Sequence, residues 1–229
     1  MLDVHLPHKG IKGVWEFFIH LFTITVGLLI ATQIESCVEW RHHVHLAEEA
    51  RQSLRAEIQH NLNDLKQALP ALKQWRAQID TDLEEMERIQ EHPEDIKNQH
   101  ATLAISFSAA ILHDTAWRTA QSTGALAQMP YEEAERYTGI YQAQAALMAI
   151  EDKPLEDVAA INGMIAKFNY HSNPSSRITR EQASALAEKL GQMRMHLSIG
   201  ASLLQADMEL SSAYLENREP RHDFTETLH

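Results

Sequence analysis

The chain has 229 residues, of which 44% are hydrophobic and 23% are charged, so it can form one folded core or a folded domain with an anchor. Its formal charge of −12 disfavours a nucleic-acid-binding surface, which needs clustered Lys and Arg. We therefore expect no nucleic-acid partner. The single Cys37 excludes an internal disulfide framework and does not indicate a redox compartment.

An apolar segment begins shortly after the N-terminus. Phe17 to Ser36 would form about 30 Å of helix, which matches the hydrocarbon layer of a bilayer. Trp15 and Trp40 flank it, and indole rings favour the membrane interface. This pattern predicts a tail over 1–13 and a transmembrane helix over 14–37. A cleaved signal peptide and a buried core helix are alternatives, although the sequence has no clean cleavage site.

The charges beside this segment indicate an orientation. The N-terminal tail is short and carries Lys9 and Lys12, while the other flank carries Arg41 among acidic residues. A short basic tail before a first span tends to remain in the cytoplasm. We therefore expect a cytoplasmic N-terminus and a C-terminal domain on the other side of the membrane.

The predicted span carries small and polar residues on one face, and Gly27 with Ala31 forms a small-xxx-small pair. Such pairs allow two membrane helices to approach closely. This favours a contact with a second copy of the chain or with other membrane-protein subunits. The alternative is that the membrane tolerates these polar residues near its interfaces, together with one flexible glycine, without any helix contact. Thr25 and Thr32 lie on the opposite face, where a second helix contact is also possible. The predicted contact residues are His20, Thr23, Gly27 and Ala31.

Helical periodicity continues beyond the span. Leucines and isoleucines recur every three or four residues, and no glycine occurs from Glu39 to His92. This predicts a stalk helix over 38–92 that continues from the membrane helix, with a kink or break at Pro70.

The remaining residues, 93–229, predict a helical-bundle domain. One helix is expected through "SFSAAILHDTAWRTAQST", ending at Gly124, and another after Pro130. "KPLEDVAAINGMIAKFN" predicts a separate shorter helix. Thr179 and Gln182 form a capping-box pattern for a last helix that ends near Glu216. The fold class is therefore all-α: a transmembrane helix, a stalk and an antiparallel bundle.

A weak metal-binding pattern occurs in "RHHVH". His42, His45 and Glu49 share a helical face at spacings of three and four residues, which suits zinc or copper. The alternative is that these histidines simply lie at the headgroup level. We expect no resident cofactor, because the chain has no glycine-rich phosphate loop and no C-x-x-C motif.

An aromatic group is the second candidate site. Trp117, Tyr131, Tyr137 and Tyr141 are close in sequence and can line a pocket, or simply pack in the core. The sequence has no G-x-S-x-G nucleophile motif, and its paired acids fit solvated helix faces, so we do not expect an enzyme.

The run "ITVGLLIATQIESCVEWRHH" resembles the N-terminal helix of uncharacterised bacterial single-span membrane protein families, described as domains of unknown function. Their helix reads G-[IL]-L-I-A-x-x-I-[DEN], and Gly27 to Ala31, Ile34 and Glu35 fill those places. "AWRTAQSTGALAQM" is similar to a recurring element in such chains. The resemblance implies a single-pass protein of a bacterial inner membrane and carries no activity. With the orientation above, we expect the C-terminal domain in the periplasm.

These observations give two hypotheses about function. The first is a protein that acts by association, as an oligomeric scaffold or an accessory subunit of a larger membrane complex. The second is a periplasmic ligand sensor or transport-associated binding module that uses a pocket in the bundle.

Overall fold

The computed structural model describes residues 12–93, 110–168 and 178–221. Within these ranges the chain is all-α, which confirms the predicted fold class. Helix α1 spans Lys12–Glu91, α2 spans Thr115–Ser122, α3 spans Tyr131–Lys167 and α4 spans Arg180–Leu215. A short 3₁₀ helix, Ala125–Gln128, follows α2.

The chain divides into two compact units, Met1–Glu49 and Ala50–His229. The part of the predicted stalk from Ala50 onward lies in the second unit, together with the residues of the predicted bundle. Leu54, Ile58 and Leu65 of α1 are completely buried there. These side chains of α1 therefore form part of the core of the second unit.

The core of the second unit is formed by α1, α3 and α4. Burial of such aliphatic side chains is worth about 1.5–3 kcal/mol each, so this core is the main source of stability. Its largest fully buried aliphatic residues are Leu54, Ile58, Leu65, Ile79, Met86, Ile89, Ile140, Ile161, Ile165, Leu186 and Leu190.

Helices α1 and α3 run parallel. Arg51 Nε donates to Glu133 Oε1 at 2.7 Å, and Asn61 Nδ2 donates to Gln144 Oε1 at 3.1 Å. Residue numbers therefore increase in the same direction along both helices. Parallel neighbours need a long connection, and 92–130 provides it.

Helix α4 runs antiparallel to α3. The hydroxyl oxygens of Tyr137 and Tyr214 lie 2.6 Å apart, and Asp157 Oδ2 lies 2.6 Å from His196 Nδ1. Residue numbers therefore increase along α3 in the direction in which they decrease along α4. The predicted antiparallel arrangement thus describes α3 with α4, and the α1–α3 pair differs from it.

Two prolines lie inside helices. Helix α1 passes through Pro70 without ending, and α3 passes through Pro154. The two helices predicted on either side of Pro154 are therefore one helix of 37 residues. An internal proline removes one backbone hydrogen bond, but Pro154 is itself buried, so its packing offsets part of that cost.

The helix predicted over 106–123 is shorter than expected. Residues 110–114 are not helical, α2 begins at Thr115, and 106–109 lie outside the described residues. Ile111 lies in this non-helical segment and is 76% exposed. Gly124 has a φ of +74°, which confirms it as the glycine that ends α2.

The predicted start of the last helix is confirmed. Thr179 and Gln182 form both hydrogen bonds of a capping box, and α4 ends at Leu215, one residue before the predicted end.

Candidate functional site

The apolar segment of α1 contains no buried residue within the first unit. None of the residues in its most apolar 18-residue window is buried, and the segment is long and apolar enough to cross a membrane. The predicted interface anchors Trp15 and Trp40 are also exposed. A methyl group added at Gly27 would meet no atom within 4 Å outside its own helix turn, so the predicted contact face is open there.

The hydroxyl groups of this segment bond to its own backbone. Thr23 Oγ1 donates to the Ile19 carbonyl at 2.8 Å, and Thr25 Oγ1 donates to the Leu21 carbonyl at 2.8 Å. Thr32 and Ser36 do the same. Polar hydrogens inside a bilayer need such internal acceptors, so the segment suits a lipid environment.

The predicted metal residues are only partly brought together. His45 Nε2 lies 3.1 Å from Glu49 Oε1, and both side chains are exposed. His42 instead has its ring beside that of His43, with centroids 6.3 Å apart. The described residues bring another group of three ligands together, and that group lies on the second unit.

That group consists of His60, Asp64 and His113. One ligand atom from each residue lies within 4.8 Å of the other two. His60 Nε2 is 3.4 Å from Asp64 Oδ2, one helical turn along α1. The rings of His60 and His113 are 5.0 Å apart between centroids. We call this group the histidine triad.

Asn61 holds the backbone at His113. Its Nδ2 donates to the His113 carbonyl at 2.7 Å, and the His113 N–H donates to its Oδ1 at 2.9 Å. Asn61 is completely buried, so this bidentate contact holds the non-helical segment 110–114 against α1 at His113.

Glu57, one turn earlier on α1, caps helix α2. Asp114 makes no side-chain cap, and the Glu57 carboxylate accepts instead from Ala116 N–H at 2.8 Å and Trp117 N–H at 3.3 Å. Tyr141 Oη donates to the same carboxylate at 2.7 Å. A negative charge at a helix N-terminus is favourable, so Glu57 positions α2 as well as satisfying its N–H groups.

Two of the four predicted pocket aromatics come together. The rings of Trp117 and Tyr141 stack 4.8 Å apart at an angle of 9°. They line an open cleft between residues 112–121 and α3, which we call the aromatic cleft; His113 also lines it. Tyr137 is buried against Tyr214, and Tyr131 is 79% exposed, so neither belongs to this pair.

A buried carboxylate lies deeper in the bundle. Asp207 is completely buried, and Ser211 Oγ donates to its Oδ1 at 3.0 Å. Burial raises the pKa of Asp207 to about 6, while hydrogen bonding from Ser211 and Gln144 opposes this rise.

The bundle also holds a small apolar cavity, lined mainly by α1, α3 and α4. Its volume is about 40 Å³, which accommodates about one water molecule. Glu151 and His196 are its charged or titratable lining residues. Burial raises the pKa of Glu151 to about 7, and His196 is paired with Asp157. Drug-sized ligands need pockets of roughly 300–1,000 Å³, so this cavity does not hold one.

Sequence reasoning missed Glu57, Asn61, His60 and Asp64. His60 and Asp64 have the same i,i+4 spacing as His45 and Glu49, so that pair was detectable. Their third partner, His113, lies 49 residues after Asp64, and only the folded chain brings it near.

Comparison with known proteins finds no match: no protein-family model, no curated protein and no solved structure is similar to this chain. The resemblance to single-span families therefore stays a prediction, and a function has to be argued from the geometry.

Proposed function

We propose that the chain is a single-pass bacterial inner-membrane protein that acts by association, as an oligomeric scaffold or as an accessory subunit of a larger membrane complex. The observation that carries this proposal is the exposed apolar segment of α1, none of whose most apolar window is buried. An exposed apolar surface of that length needs lipid or protein around it.

The internal hydrogen bonds of Thr23 and Thr25 support a lipid environment, because their hydroxyls need no water. The open side at Gly27 supports close approach of a second helix. The cavity between the helices of the second unit, about 40 Å³, is too small to enclose a metabolite, which favours association.

The test is crosslinking and native mass measurement of the full chain in a mild detergent. Gly27→Ile should weaken self-association or the capture of a co-purifying subunit at least tenfold, about 1.4 kcal/mol, because a branched side chain separates the helices. Carbonate extraction of membranes should leave the wild-type chain in the pellet.

Thr25→Ile is the matched control, since it adds a branched apolar side chain on the opposite face. It should leave the oligomer unchanged. An equal loss in both variants, or no loss in either, would refute the Gly27 face as the contact. Recovery of the chain in the soluble fraction would refute the membrane assignment itself.

A second candidate function is the ligand-binding module, favoured by the stacked Trp117–Tyr141 pair at the aromatic cleft. A metabolite that binds there should raise the unfolding temperature, and Trp117→Ala should abolish that increase. Membrane association and Gly27 dependence would be unaffected, so the two functions are separable.

A further inference from the structure

We propose that the histidine triad, His60, Asp64 and His113, binds one divalent transition-metal ion, with Zn²⁺ as the best-fitting ion. This site is independent of the association proposed above, and it differs from the pattern at His42, His45 and Glu49. It joins α1 to the non-helical segment that precedes α2.

The donor set has the right chemistry. Two imidazole nitrogens and one carboxylate oxygen are typical of zinc sites that have three protein ligands, in which water occupies the fourth coordination position. Hard cations such as Mg²⁺ and Ca²⁺ prefer oxygen ligands, so the two imidazoles select a transition metal.

The distances are close to those required. Ligand atoms around a tetrahedral zinc ion lie about 3.4 Å apart, as follows from bond lengths of ~2.0–2.1 Å. His60 Nε2 and Asp64 Oδ2 are already 3.4 Å apart. The longest separation within the triad is no more than 4.8 Å, so His113 needs a movement of about 1.4 Å. Side-chain rotation provides that, because the His113 side chain is exposed.

The backbone of the third ligand is held in place before any metal binds. Asn61 fixes both polar backbone atoms of His113, at 2.7 and 2.9 Å, and lies directly after His60 in α1. The Cα atoms of the two histidines are therefore held at a fixed separation, and only side-chain torsions remain to be ordered. Such preorganisation reduces the entropic cost of binding.

Solvent reaches the site. The side chains of His60 and Asp64 are 59% and 31% exposed, and His113 lines the aromatic cleft. A metal ion can enter from water, and its open coordination positions face solvent, where a further ligand or a partner side chain can bind. The site is thus of the open type and is not a closed structural zinc site.

The experiment is a titration of the full chain with Zn²⁺ and Co²⁺ in mild detergent, without a polyhistidine tag. We expect saturable one-to-one Zn²⁺ binding by calorimetry and an increase in unfolding temperature. Co²⁺ should give the intense visible absorption of a four-coordinate ion. Absence of saturable binding would overturn the proposal.

His113→Ala and Asp64→Asn identify the ligands. Each should weaken Zn²⁺ binding at least tenfold and remove the thermal shift. His113→Ala leaves the backbone hydrogen bonds to Asn61 intact, and Asp64→Asn preserves the shape of a half-buried side chain, so both should retain the helical circular dichroism spectrum. Unchanged affinity in a folded variant would overturn the assignment.

His45→Ala is the matched control, because His45 and Glu49 form the same type of i,i+4 pair, 3.1 Å apart. It should bind Zn²⁺ as the wild-type chain does. Loss of binding in His45→Ala, with retention in His113→Ala, would place the metal at the other pair and refute the triad.

Discussion

Asp207 provides a stringent test of how this bundle is held together. Its carboxyl group is completely buried on α4 and contacts the neutral hydroxyl of Ser211. Burial raises its pKa to about 6, compared with an ordinary value of 3.8. Ionised Asp207 therefore destabilises the fold, because a charge in a poorly solvated site is unfavourable.

The magnitude follows from this difference in pKa. At 1.36 kcal/mol per pH unit, the two values correspond to about 3 kcal/mol. The pKa in the folded state is raised, so the folded chain binds the proton more tightly than the unfolded chain does. The free energy of unfolding should therefore fall as the pH rises from about 4 to about 6, and this contribution should then level off.

Asp207→Asn removes this dependence. An asparagine is neutral at every pH, and its amide can donate to Ser211 Oγ. The stability of the variant relative to wild type should rise by about 2.5 kcal/mol between pH 4 and pH 7.5. For a domain of this size that is a shift of about 5–10 °C in unfolding temperature.

The assay is unfolding of the full chain in detergent, followed by far-ultraviolet circular dichroism at several pH values. Glu188→Gln is the control, because Glu188 is exposed on α4, and its profile should parallel that of wild type. Glu151 and Asp82 also have raised pKa values, but they are common to all three proteins and cancel in the comparison. Parallel pH profiles for Asp207→Asn and wild type would refute the reasoning.

Two further predictions concern the core and the helix junction. Leu190→Ala, at a completely buried position, should lower the free energy of unfolding by about 2–5 kcal/mol, whereas Leu155→Ala, 44% exposed on α3, should change it far less. Equal effects would contradict the core assignment. Glu57→Gln should cost about 1–2 kcal/mol, because one acceptor and the negative charge at the start of α2 are lost. Exposed Glu188→Gln should stay within about 0.5 kcal/mol, and urea unfolding measures both.

The helices themselves were largely predictable from the sequence. The recurrence of leucines every three or four residues predicted α1, and the Thr179–Gln182 pattern predicted the start of α4. The continuous α3 was not predicted, because a proline usually ends a helix. Pro154 is buried inside α3, and its packing offsets part of the cost of the lost backbone hydrogen bond. Local patterns identify helices well, whereas tertiary packing decides whether a proline interrupts one.

The candidate sites were less predictable, because their residues are distant in sequence. All four aromatic residues were predicted to line one pocket. Only Trp117 and Tyr141 stack on each other, whereas Tyr131 is exposed to solvent and Tyr137 is buried. Helix α2 begins at Thr115, where Glu57, some 60 positions earlier in the sequence, accepts hydrogen bonds from its first N–H groups. No periodicity in the segment itself carries that information.

Buried polar residues at one level of the bundle explain how its helices select a register. Two helices whose leucines and isoleucines recur every three or four residues can also pack together after one helix is shifted by one turn along the other. Such a shift would separate Asn61 from Gln144 and Glu57 from Tyr141, leaving buried polar groups without partners at about 1–3 kcal/mol each. The polar layer therefore disfavours the shifted arrangements that the apolar core tolerates. Because Asn61 also holds His113, the same layer determines where the histidine triad forms.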